Sequence, residues 1–136
     1  MKKLIFVLFV LLPVFIFAVD YYYVDTTGSD ALGDGSEGNP WATIQHAIDN
    51  ASDPGGVDIV IYISAGTFNL WTGVTTETIV INRDFQDLTL QGSGAEETII
   101  QGHSVSGSAD NRIFYINNGW GDVEISDVTI RYGNTI

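Results

Sequence analysis

Two segments of this chain carry the same pattern of physical types, and that recurrence restricts the fold more than any compositional figure does. Thr78–Gln91 (TIVINRDFQDLTLQ) lies without gaps on Ile113–Ser126 (IFYINNGWGDVEIS). Ile81 falls on Ile116, Asn82 on Asn117, Phe85 on Trp120, Asp87 on Asp122, Leu88 on Val123 and Leu90 on Ile125. Short strand-like units recurring at a fixed offset are expected of a solenoid, in which each level buries its apolar face only against the levels beside it. The matched residues then form ladders. Asn82 and Asn117 would each close a strand, where Asn tolerates left-handed backbone and can bond to its equivalent one level away. Phe85 and Trp120 would stack at about the 4.8 Å spacing of neighbouring strands.

Residues 1–18 read as a secretory signal peptide: Lys2 and Lys3 are basic, Leu4 to Phe17 is apolar apart from Pro13, and Ala18 is a small residue at the cleavage point. The apolar run is shorter than the roughly 20 residues a spanning helix needs, so no membrane span is expected after cleavage. The expected location is secreted or cell-surface. The chain has no cysteine, so neither a disulfide nor a lipidated cysteine contributes, and packing must supply the stability. Residues 19–136 are expected to form one domain. They retain Arg83, Arg112 and Arg131 as their only basic side chains against 17 Asp and Glu. A field of that sign repels phosphate backbones, which excludes nucleic acid as an expected partner. It would also repel an anionic polysaccharide unless a divalent cation bridged the carboxylates. Acidity that serves only solubility explains the charge equally well.

Along the mature chain, Asp20–Asp25 (DYYYVD) has the aromatic and β-branched content of a first strand. Thr26 to Pro40 is dense in turn-forming residues and reads as a lid or edge loop. Trp41, Ile44, Ala47, Ile48 and Ala51 fall at helical spacing, predicting an amphipathic helix of about three turns. Either Asn39-Pro40 or Thr43 would open it, and Asp53-Pro54-Gly55-Gly56 would stop it. Val57–Ile63 is a nearly unbroken apolar run, expected to be covered on both faces. Later segments alternate: Leu88 and Leu90 against Thr89 and Gln91, Val123 and Ile125 against Glu124 and Ser126, Val128 and Ile130 against Thr129 and Arg131. The spacing from Ile100 to Ile130 is shorter than that from Asn82 to Asn117, so one connecting loop differs in length between levels.

The order DYYYVD, Gly28-Ser29-Asp30, Gly35-Ser36, Asn39-Pro40, Thr43-Ile44-Gln45, Ala47-Ile48-Asp49 and Ile63-Ser64-Ala65-Gly66-Thr67-Phe68 resembles the N-terminal region of secreted proteins of the pectin lyase-like superfamily. Leu88 to Gly94 and Thr98 to Gly102 continue the likeness over essentially all of residues 19–136. The resemblance implies an all-β, right-handed parallel β-helix with an N-terminal capping α-helix. The chain would end after a few rungs, with further rungs of the same protein as partners and an uncapped last rung prone to stack end to end. It does not imply one activity, because this architecture carries lyases, hydrolases, epimerases, adhesins and inert stalks.

Relatives that cleave uronate polymers by elimination use a basic side chain beside a carboxylate neutralised by a cation. The resemblance therefore makes Arg83, Arg112 and Arg131 the only candidates for that role, with Arg131 beside Glu124 and Asp127. A surface ion pair explains Arg131 more simply. The adjacent aspartate pair of the family's hydrolases is absent. His46 and His103 read as solvated surface residues. Asp30, Asp34 and Glu37 do not follow a calcium-loop order and read as turn formers, and the bends at Gly92 and Gly94 precede no phosphate-holding helix. No cofactor or resident metal is expected, and calcium enters only with a lyase. Trp71 in a Thr/Gly-rich loop and Tyr132 beside a bend are the candidates for stacking on sugar rings, although packing on the coil would also account for them. The expected function is a β-helix scaffold or carbohydrate-binding surface for an extracellular polysaccharide, with no catalytic centre in these residues. The alternative is the N-terminal part of a polysaccharide lyase whose catalytic groups lie on later rungs.

Overall fold

The computed structural model describes residues 18–52, 56–119 and 121–134. The expected signal segment, apart from Ala18, therefore lies outside the described residues, as do Asp53-Pro54-Gly55 of the helix stop and Trp120. The elements are β1 (Val19–Val24), α1 (Ile44–Asn50), β2 (Asp58–Ile63), β3 (Gly66–Asn69), β4 (Ile79–Ile81), β5 (Leu88–Gly92), β6 (Thr98–Gln101), β7 (Phe114–Ile116), β8 (Val123–Ser126) and β9 (Thr129–Arg131). They make three open sheets, ordered β1-β2-β5-β8, β3-β6-β9 and β4-β7. Every strand pair is parallel. From β2 onward the chain visits the first, second and third sheets in turn and returns to the first. The fold is thus mostly parallel β-structure with one helix. No helix among the described residues is long and apolar enough to cross a membrane.

The register places like side chains over like. Ile59 pairs with Leu88 and Leu88 with Val123, while Ile61 pairs with Leu90 and Leu90 with Ile125. Phe68, Ile100 and Ile130 form a column in the second sheet, and Ile79 over Phe114 and Ile81 over Ile116 form two in the third. Asn82 and Asn117 follow β4 and β7 in the continuation of that register, and the Asn117 N–H donates to Ile81 O at 2.7 Å. Neither asparagine adopts the left-handed backbone expected of it. Among the described non-glycine residues, positive φ belongs to Asp127 (56°) and Tyr132 (59°). Both stand directly beyond the strands of the last level, where the chain bends. Phe85 is buried in the core. Val57–Ile63 corrects the expectation of burial on both faces: Ile59, Ile61 and Ile63 point inward, while Asp58, Val60 and Tyr62 are half exposed.

The helix is shorter than its periodicity suggested, seven residues rather than about three turns. Trp41 is drawn out of it because its backbone pairs with β1: its N–H donates to Tyr23 O and its carbonyl accepts from Asp25 N–H. The loop before it accordingly serves as an edge to β1 and not as a free lid. Thr43 caps the helix, its side chain accepting from His46 N–H. Asp30 fixes that cap, its carboxylate accepting from Ala42 N–H at 2.7 Å, Thr43 N–H at 3.0 Å and the Thr43 hydroxyl at 2.7 Å.

At the other end of α1, Arg83 donates to the carbonyls of Ile48, Asp49 and Ala51 at 2.6, 3.0 and 3.0 Å. Its guanidinium lies 4.8 Å from the centre of the Phe85 ring. A cation on the orphan carbonyls of a helix C-terminus satisfies both their hydrogen bonding and the helix dipole. Gln45 joins the helix to β4 as a strand would, accepting from Val80 N–H at 2.7 Å and donating to Val80 O at 3.1 Å. Arg83 therefore serves to close the helix C-terminus.

Arg83→Ala should destabilise the fold by about 1–3 kcal/mol, the scale of lost charge-assisted bonds to half-buried carbonyls. Its urea midpoint should fall with little change in slope. Asp30 supplies a pH dependence. Burial opposes its ionisation, but the Thr43 hydroxyl and N–H, the Ala42 N–H and the nearby His46 outweigh that cost and hold its carboxyl below the ordinary value of 3.8. A depressed folded-state pKa gives stability that is complete above the unfolded value and is lost as pH falls from there through the folded one. Asp30→Asn should flatten the acid limb of thermal stability below about pH 4 and leave a loss that no longer varies with pH above it.

A tyrosine-walled cleft as the candidate functional site

The residues expected to stack on sugars are already engaged. The half-buried Trp71 ring lies 4.7 Å from the His103 ring, centre to centre. His103 Nδ1 accepts from Val105 N–H. Arg131 sits 5.0 Å over Tyr132, and its Nε donates to Gln101 Oε1 at 3.0 Å. That bond and ring contact take the place of the ion pair expected with Glu124 or Asp127. His46 also departs from the solvated surface role, meeting the Trp41 ring edge-on at 5.4 Å. His46 stands in the first turn of the helix that Trp41 precedes, while Trp71 and His103 follow the paired strands β3 and β6. Arg112 lies 5.8 Å over Tyr115. The structure does not bring Arg83 near Arg112 or Arg131: the first belongs to the helix end, and the other two line one shallow depression of about 310 Å³ with Tyr132.

Of the loop acids, Asp30 is bound to the helix cap, and Asp34 accepts from Ser36 N–H at 2.9 Å. That bond, with the Ser36 hydroxyl, holds the Asp34 carboxyl below its ordinary value. Among the described residues no three His, Asp or Glu side chains converge as a metal-ligand group. Glu37 stands apart from these turn formers because it faces a cleft.

That cleft, of about 420 Å³, lies where β1 and β2 end, with Tyr23, Tyr62, Asp25, Glu37, Ser64 and Ser93 on its walls. The volume is of the order found for small-molecule sites. Strand alternation builds its aromatic wall. Tyr23 pairs with Tyr62 in the β1–β2 register, so both side chains leave the same outer face. Their rings stack at 5.4 Å with planes 28° apart, and Tyr21 stacks on Tyr62 at 5.9 Å and 12°. The same register continues from Tyr62 to Gln91 and from Gln91 to Ser126. The outer face thus carries a row of two phenols, an amide and a hydroxyl running across the strands.

The opposite wall is placed by the folded-back loop. Tyr23 N–H donates to Gly35 O, and the Trp41 Nε1–H donates to Gly33 O at 3.1 Å. Gly35 has φ of 79°, and a Cβ there would stand 2.6 Å from the Trp41 ring. Asp25 Oδ1 accepts from both the N–H and the hydroxyl of Thr27 at 2.8 and 2.7 Å. These bonds, chiefly that to the Thr27 hydroxyl, with a contribution from Ser64, hold the Asp25 carboxyl below its ordinary value of 3.8. Desolvation first, then the charges of Glu37 and the neighbouring tyrosines, pushes the Tyr23 phenol above its ordinary value of 10.0. The cleft therefore offers neutral aromatic rings, hydroxyl donors and two carboxylates, with no basic side chain among the residues that line it.

Sequence reasoning missed Tyr23, Tyr62 and Asp25. The alternation in DYYYVD was a usable signal, but the DIVIYI run concealed the outward Tyr62 beneath its apolar composition. Glu37→Gln should lower the pH at which the Tyr23 phenol ionises, read by ultraviolet difference titration against Tyr23→Phe. An unchanged titration would mean that the Glu37 charge does not reach the phenol. Compared with known proteins, the chain matches no family model, no curated protein and no solved structure.

Proposed function

We propose that this chain forms the cap and first coils of a secreted or cell-surface right-handed parallel β-helix, and that it acts as a non-catalytic scaffold presenting a carbohydrate-contact surface. The β-helix reading is supported by the rotation of the chain through three parallel sheets with similar side chains in register, and by the helix that covers the β4 edge through Gln45. The carbohydrate reading rests on a single observation, the cleft in which stacked Tyr23 and Tyr62 face hydroxyls and carboxylates. Polyhydroxylated rings combine apolar C–H faces with many hydroxyl groups, so aromatic walls beside hydrogen-bond acceptors suit them.

A lyase is the second reading, and one observation favours it. Arg112 and Arg131 share a depression with Tyr132, so two guanidiniums could meet a carboxylated sugar there.

Incubation with pectate or alginate plus calcium separates the two readings. The scaffold should release no unsaturated, ultraviolet-absorbing product from either, and affinity electrophoresis through a panel of neutral, anionic and cationic polysaccharides should show retention by at least one. Appearance of that product would establish elimination and overturn the non-catalytic reading. Failure to retain any polysaccharide would remove the carbohydrate-contact surface.

A further inference from the structure

We propose that the cleft between Tyr23 and Tyr62 selects a cationic glycan, a polymer of amino sugars bearing free protonated amines, over neutral or uronate chains. The inference rests on the carbohydrate-contact reading and adds the ligand's charge. The aromatic wall and the cavity define the site, and the charges around it set the preference. Asp25 and Glu37 face the same space as the two rings, and no Lys or Arg lines it. The electron-rich faces of the tyrosine rings also favour a cation, because a protonated amine is drawn to the ring quadrupole. A uronate would meet two carboxylates there without a countercharge. A neutral sugar would stack and hydrogen-bond but gain nothing from the carboxylates' field. The long-range field acts in the same sense: outside the signal segment 17 acidic residues outnumber Arg83, Arg112 and Arg131, and such a field steers cations inward. The alternative platforms lack this combination, since the Trp71 ring meets His103 and the Tyr132 ring already carries the cation Arg131.

Calorimetric titration of the purified protein with three oligosaccharides of equal length tests the proposal: a β-linked glucosamine oligomer, its fully N-acetylated counterpart and an oligogalacturonate. The first two share a backbone and differ in the charge at nitrogen. At low salt and mildly acid pH the glucosamine oligomer should bind about tenfold more tightly than the acetylated one, and raising the salt should shrink the gap. Glu37→Gln should reduce that preference by roughly three- to tenfold. Tyr62→Ala should abolish binding, and Tyr62→Phe, which keeps the ring and guards against a folding artefact, should retain most of it. Equal affinity for the charged and acetylated oligomers overturns the charge preference and leaves the glycan surface standing. Binding that survives Tyr62→Ala but fails in Trp71→Ala overturns the cleft assignment alone. An absence of binding to all three overturns this proposal and removes support from the reading beneath it.

Discussion

The in-register column of inward aliphatic side chains is the constraint on which the rest of the molecule depends. Ile59 over Leu88, Ile61 over Leu90 and Phe68 over Ile100 each put an apolar side chain against the next level rather than against a separate layer. Fully burying such a side chain contributes about 1.5–3 kcal/mol, and a slip of one residue would turn the whole set outward. The register that protects these columns therefore also fixes what faces out. Tyr23 meets Tyr62 on the surface because Val24 meets Ile63 in the core. Burial weakens along the columns: Ile81 and Ile100 are wholly covered, whereas Ile116 and Ile130, one level on, are 48% and 47% exposed.

Backbone groups at the corners pose a second problem, and the aspartates answer it. Strand pairing satisfies N–H groups within the sheets but not at the bends between them. Asp84 accepts from Gly119 N–H at 2.9 Å, Asp87 from Asp122 N–H at 2.8 Å and Asp110 from Thr76 N–H at 2.7 Å. Each joins one level to the next. A Cβ at Gly119 would stand 2.6 Å from the Asp84 oxygen, so a larger residue there would displace the carboxylate that accepts from its N–H. The Thr76 bond holds the Asp110 carboxyl below its ordinary value. With Asp25, Asp30 and Asp34 similarly engaged, much of the negative charge is structural, a role that neither solubility nor cation bridging anticipates. Asn118 belongs to the same set, accepting from Phe85 N–H. Near Asn82 and Asn117, inter-level bonds thus run through their neighbours Asp84 and Asn118.

The sequence made the parallel stacking legible because strands stacked in register repeat their physical types at a near-constant spacing. Asn82 and Asn117 do continue one register, and the helix, its Thr43 alternative cap and the strands β5, β8 and β9 were readable from periodicity. Local composition hid the rest. Trp41 has helical spacing, yet its tertiary pairing with β1 removes it from the helix. Tyr62 sits in a run so apolar that its outward direction disappeared. The partners of Arg83 lie more than thirty residues away in sequence, and no local pattern announces a side chain that reaches back to close a helix. The cleft was illegible for the same reason, since its walls come from β1, β2 and a loop that only the fold brings together.

Trp41 ties that loop down at several points: backbone bonds to β1, an indole bond to Gly33, and a ring stacked at 5.5 Å on Tyr22. The segment carrying Glu37 is thereby anchored on both sides before any ligand arrives. The conformational entropy of holding a carboxylate opposite the tyrosines is spent during folding, so a bound molecule need not supply it. Preorganisation of this kind lowers the ordering cost of any complex formed at the cleft, and it makes Trp41, which does not line the cleft, the side chain whose loss would loosen Glu37.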